Sequence, residues 1–230
     1  MADERVPGTD PQPSEEPREI LQEWPAWLIL IALWGGSLLV VFRLPARVPM
    51  HWNIRGEVDR WGGPWEAALL IPALVTGVYL LILALDWGRL DFKAARGMTA
   101  ATRRQVRLLT LLLMGTIQGL ILGTILSGVT LKGTLILACI ALFFIFLGNL
   151  MPRLEPNAWV GIRIPPTLES REVWKATHRL GGRILVVGGA LLLPVCLLPE
   201  SLATIVFLSA AMVLMLIPVV YAYRLRSTEK

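Results

Sequence analysis

Two stretches of this 230-residue chain gather side chains able to do chemistry. The first, between Arg43 and Pro64, holds Pro49, His51, Trp52, Asn53, Gly56, Glu57 and Asp59. One imidazole and two acids are enough polar groups for a small-ligand or metal site. They are also a thin ligand set whose spacing matches no zinc knuckle. An ordered cap, with Trp52 and Trp61 on a membrane interface, is the favoured reading. A peptide-recognition surface stays open, because exposed Trp and Arg anchor such surfaces.

The second stretch runs from Gly148 to Arg183 and holds Asn149, Asn157, Gly161, Arg163, Pro165, Thr167, Trp174 and His178. Arg163 lies between Ile162 and the Pro165–Pro166 pair, which stiffens the backbone. A planar guanidinium held in that way suits fixed hydrogen bonds to carbonyls, carboxylates or phosphate. A helix is expected from Ser170, whose hydroxyl can cap it. On it Arg171, Lys175 and Arg179 recur every four residues as a basic stripe, beside a face of Trp174, His178 and Gly181. The pattern is that of an amphipathic interfacial helix. Its basic stripe suits anionic headgroups, and a cytoplasmic partner is an equal alternative. The expected assembly is a rigid lid of Asn149, Asn157, Arg163, Thr167, Trp174 and His178, with Asn149 and Asn157 tying the loop to neighbouring spans.

The elements that must position these stretches are membrane spans. The chain is 55% hydrophobic and only 17% charged, and its apolar residues form blocks too long for a soluble core. Six runs, Trp24–Phe42, Trp65–Leu85, Leu108–Leu126, Leu135–Met151, Ile184–Leu198 and Ala203–Tyr223, are near the ~20 residues that cross a bilayer. Helices are required, because lipid cannot satisfy backbone polar groups. The fold class is thus an all-α integral membrane protein: a six-helix bundle with an ordered external loop and an amphipathic interfacial helix.

Residues 1–23 carry seven acids and four prolines against two arginines, and read as a flexible acidic tail. Residues 24–126 form an N-terminal membrane module with the 43–64 loop. Residues 127–230 form a second module with the 148–183 loop. Seventeen Lys and Arg residues fall on the side of the termini and five on the other. That bias places both termini in the cytoplasm, the first loop outside and the second inside.

The two histidines, His51 and His178, then lie on opposite sides of the membrane, too far apart to share a metal. No HExxH, GxSxG or Walker loop is present. We expect no metal, no cofactor, no catalytic residue and no direct nucleic-acid contact. The net charge of +5 is assigned to orientation and to anionic lipid. Cys139 and Cys196 lie in apolar runs and are expected to stay free. Gly115, Gly119 and Gly123, four apart, are expected to pack helices closely within the bundle, with a homodimer seam as the alternative. Spans free of central charge weigh against a transporter or exporter, which remains the alternative. A membrane metallohydrolase is a less favoured third.

At this point a resemblance is legible. Pro49-Met50-His51-Trp52-Asn53 with Gly56 and Asp59 resembles the signature of a small membrane domain of unknown function. Gly148-Asn149, Pro152, Asn157, Gly161-Ile162-Arg163, Pro165, Thr167-Leu168, Trp174 and Thr177-His178-Arg179 with Gly181 resemble the signature of the SdpI family. Pro166 stands where the family pattern has an aromatic residue, and the acidic tail is a second departure. The resemblance implies a multi-pass immunity protein of a bacterial plasma membrane. It implies protection from an antimicrobial peptide toxin outside, and a transcriptional repressor held at the membrane inside.

Overall fold

The computed structural model describes residues 22–53, 57–86, 99–129, 132–157 and 160–228. Its main elements are α1 (Trp24–Val40), β1 (Val48–Trp52), β2 (Val58–Gly62), α2 (Pro64–Asp86), α3 (Ala100–Ser127), α4 (Gly133–Leu150), α5 (Pro165–Glu169), α6 (Arg171–Val195) and α7 (Glu200–Thr228). Every one of these helices except the short α5 is long and apolar enough to cross a membrane, six in number among the described residues. The protein is a multi-pass membrane protein, and the six spans expected from hydropathy are present.

Three boundaries differ from the hydropathy pattern. α3 begins at Ala100 and carries Arg103, Arg104 and Arg107 into the helix, capped by Thr99, whose hydroxyl accepts from the Thr102 N–H at 3.2 Å. The amphipathic stretch and the fifth span are one continuous helix, α6. Gly181 and Gly182 do not break it, because both are buried against α4 and its flanks, where their missing side chains are needed. Glu23 does not belong to the tail: it is buried at the foot of the bundle. The rest of the expected tail, residues 1–21, lies outside the described residues.

The chain folds as two three-helix halves joined where α3 packs on α4. In the first half the helices are tied by polar groups. Gln118 on α3 donates through Nε2 to the carbonyls of Ala67 and Ala68 on α2, both at 3.0 Å. Ala68 needs that donor, because the residue four places on is Pro72, which has no N–H. Trp34 Nε1 donates to Thr76 Oγ1 at 2.9 Å, linking α1 to α2. At the foot, Arg107 pairs with Glu23 at 2.5 Å, and the Tyr79 hydroxyl donates to the other Glu23 oxygen at 3.1 Å. Arg107 and Glu23 are both about 95% buried, and neither was legible as a partner in the sequence.

The second half is tied by backbone contact instead. A Cβ on Gly148 of α4 would stand 2.7 Å from the Gly182 carbonyl of α6, and one on Gly189 would stand 2.7 Å from the Ala141 carbonyl. These glycines let two antiparallel helices touch. The expected packing role of Gly115, Gly119 and Gly123 is not found. Gly115 meets only Ile29, at 3.8 Å, and Gly119 and Gly123 face nothing within 4 Å. Residues Gly115 and Gly119, with Gly36 and Ser37 of α1, line an open groove of about 340 Å³. The reason is geometric: Gln118, on the neighbouring face of α3, is the residue turned toward α2.

The helix ends sort the loops onto two faces. The antiparallel β1–β2 hairpin lies where α1 ends and α2 begins. The loop from Met151 to Ser170 lies with the start of α1 and α3 and the end of α7, since four spans separate it from the tail.

Candidate functional site

The hairpin orders most of the first motif. Pro49 pairs with Trp61 and His51 with Arg60 across the strands, with irregular register on either side of His51. The exposed His51 Nδ1 lies 2.6 Å from Asp59 Oδ1. Asn53 closes the turn: its backbone N–H donates to the Glu57 carbonyl at 2.9 Å and its Nδ2 to Glu57 Oε2 at 2.9 Å. Arg60 pairs with Glu66 at the start of α2, and Arg47 sits 5.5 Å over the Trp61 ring. Gly56 lies outside the described residues. Among the described residues no three His, Cys, Asp or Glu side chains gather as a metal site. Cys139 and Cys196 are free thiols.

The second motif builds a closed lid on the first turns of α6. Ser170 caps that helix, accepting from the Val173 N–H at 3.2 Å. One turn in, Trp174 is fully buried and its Nε1–H donates to the Leu154 carbonyl at 2.7 Å. Trp174 stacks on His178, with ring centroids 4.1 Å apart. His178 is fixed at both nitrogens. Its Nδ1 lies 2.9 Å from the Trp174 carbonyl, which can only accept, so Nδ1 carries the proton. Its Nε2 then accepts from the Ile162 N–H at 3.0 Å. The ring is a neutral bridge between helix and loop.

Gly161 lets the loop come that close. Its φ is +125°, and any Cβ there would run into His178 Nε2. Thr167 then locks the next turn: its hydroxyl donates to the carbonyls of Ile162 (2.7 Å) and Ile164 (2.9 Å) and accepts from the Ile164 N–H (3.1 Å). Pro165 opens α5. The lid also closes on α7, through an ion pair of 2.7 Å between Glu169 and Arg226.

Thr167, Trp174 and His178 are thus brought together as expected, but three expected members act differently. Asn149 is exposed and donates to the Ile145 carbonyl of its own helix, at 2.9 Å, so it ties no loop. Asn157 holds a turn within the loop, bonding to Glu155 and Val160. Arg163 is exposed and makes no hydrogen bond among the described residues. A stiff backbone fixes where an arginine starts, not where its long side chain ends. The stripe is divided as well. Glu155 accepts from Arg171 at 2.8 Å and lies 3.5 Å from Lys175, whereas Arg179 is exposed with no acid partner among the described residues. The Arg171 hydrogen bond holds the Glu155 carboxyl below the usual carboxylate range. This tie therefore stays charged at neutral pH and is lost only as pH falls through that lowered value. Glu155 was missed in the sequence, where an acid sixteen residues from its partner carries no spacing signal.

The arrangement offers a structured surface: a buried, hydrogen-bonded frame that presents arginines outward. Comparison with known proteins agrees with the motifs. Residues 153–222 match the SdpI/YfhL protein family, and residues 28–76 match a domain of unknown function, DUF1648. Immunity protein SdpI of Bacillus subtilis (strain 168) is 28% identical over 161 residues, covering 66% of this chain and 70% of that protein. No solved structure matches. Over residues 153–222, which hold most of the lid and the two helices that carry it, the chain is similar to the SdpI/YfhL protein family.

Proposed function

We propose that this chain is a non-enzymatic immunity and signalling protein of a bacterial plasma membrane, with both termini in the cytoplasm. The hairpin meets a peptide toxin outside, and the lid face holds a transcriptional repressor inside. The observation that carries this reading is the 28% identity to a protein named for immunity, across 66% of this chain and 70% of that protein. The geometry supports it in two ways. The hairpin is a short ordered surface with an exposed Trp61 and Arg47, the residue types that anchor peptide contacts. The lid is pinned from within by His178 and Trp174 while Arg163 and Arg179 point outward. The excess of basic residues on the lid side supports the orientation.

The test is survival. A Bacillus subtilis strain lacking its own immunity protein is given this gene and challenged with the toxin to which that protein gives immunity. Protection at verified membrane expression is expected. Full sensitivity at equal expression would remove the immunity reading.

A further inference from the structure

The arginines of the lid face are unequally matched with acids. Arg171 and Lys175 share Glu155, and Arg226 has Glu169. Arg153, Arg163, Arg179 and Arg183 are exposed and have no acid partner among the described residues. Arg179 and Arg183 are one turn apart on α6, and Arg163 sits in the loop bolted to that helix through His178. A cationic surface so assembled lacks its counter-charge.

The same face receives the acidic segment at the start of the chain. Residues 1–21 carry Asp3, Glu4, Asp10, Glu15, Glu16 and Glu19 against Arg5 and Arg18. The point at which they leave the bundle is fixed. Gln22 accepts from Arg104 at 2.8 Å, and Glu23 is buried against Arg107 and Tyr79. Four spans separate Glu23 from the lid, so both lie on one side whichever side that is. A 21-residue segment reaches up to about 70 Å when extended, against roughly 30 Å for a bundle of this width at about 10 Å per helix. Its tethering gives an effective concentration on the order of millimolar.

We propose that the acidic segment 1–21 docks across Arg153, Arg163, Arg179 and Arg183, covering the lid in cis until a more strongly anionic partner displaces it. The occupant is this segment because it is the charge-complementary chain held at that face by a buried anchor. Anionic headgroups are the competitor, and they lack the tether. This inference does not depend on what the protein protects against.

The test uses the full chain in vesicles. A p-benzoylphenylalanine at Pro13 is photo-activated in phosphatidylcholine vesicles with and without about 30% phosphatidylglycerol, a headgroup that attracts basic residues, and adducts are mapped by mass spectrometry. Adducts within residues 153–183 are expected in both vesicles. They should be lost at about 1 M salt, where the Debye length is about 3 Å. They should be lost equally in the Arg153→Gln, Arg163→Gln, Arg179→Gln, Arg183→Gln variant. The Glu15→Gln, Glu16→Gln, Glu19→Gln variant leaves every described residue unchanged and should lose them too, which guards against a lid that fails to fold. Adducts that survive neutralisation of the tail, or that form elsewhere, would overturn the proposal. Adducts abolished by phosphatidylglycerol would give the arginines to headgroups and overturn it as well.

Discussion

Gly161 and His178 are the pair on which the lid turns. The loop can approach α6 only because residue 161 has no side chain and a positive φ. Gly161→Ala should force the loop off the imidazole and cost about 1–3 kcal/mol, the usual cost of such backbone strain. Thermal unfolding in detergent should show the loss, and trypsin should cut after Arg163 faster than in the wild type. An unchanged melt and unchanged cleavage would mean that the loop is not held by this contact. Gly161, Thr167, Trp174 and His178 were legible because they form a pattern of unlike residues at fixed spacing, which simple burial does not require. Asn149 and Arg163 belonged to the same pattern and were misplaced. A motif records that a residue matters without recording whether it faces in or out.

At the scale of the helices, Gln118 and Pro72 act as a pair across α3 and α2. Gln118→Leu leaves the Ala68 carbonyl without a donor. A loss of about 1 kcal/mol is expected, since polar contacts between membrane helices average about 0.6 and reach about 1.7. Adding Pro72→Ala supplies the missing N–H, so the double variant should recover most of the loss in a denaturing-detergent titration. Strictly additive losses would show that the two residues are not coupled. All six spans were legible from hydropathy, because length and apolarity are enforced by the bilayer itself. The helix contacts were not. A glycine stripe on α3 looks like a packing seam, yet the seam lies at Gly148, Gly182 and Gly189. Small residues permit close approach, and the fold decides which of them are approached.

Across the whole molecule the first question is direction. Glu57 and Glu172 are both exposed, one on each face. With Cys139 and Cys196 replaced by Ala, Glu57→Cys should label with an impermeant maleimide in intact cells, and Glu172→Cys only after lysis. The opposite result would reverse the orientation of the bundle. Lys and Arg counts give an expected orientation, because charge asymmetry acts during insertion, before any tertiary contact exists. The buried Glu23–Arg107–Tyr79 cluster was not readable, since Glu23 lies 56 residues from Tyr79 and 84 from Arg107, and only folding brings them together. The continuity of α6 has a mechanical side. Its 25 residues form a rod of about 37 Å, with Trp174 and His178 near one end and Pro194 at the other. Because no break separates the lid from the span, a pull on the lid cannot be absorbed locally. It moves the rod as a unit, so a displacement at the Trp174 end is carried to the Pro194 end.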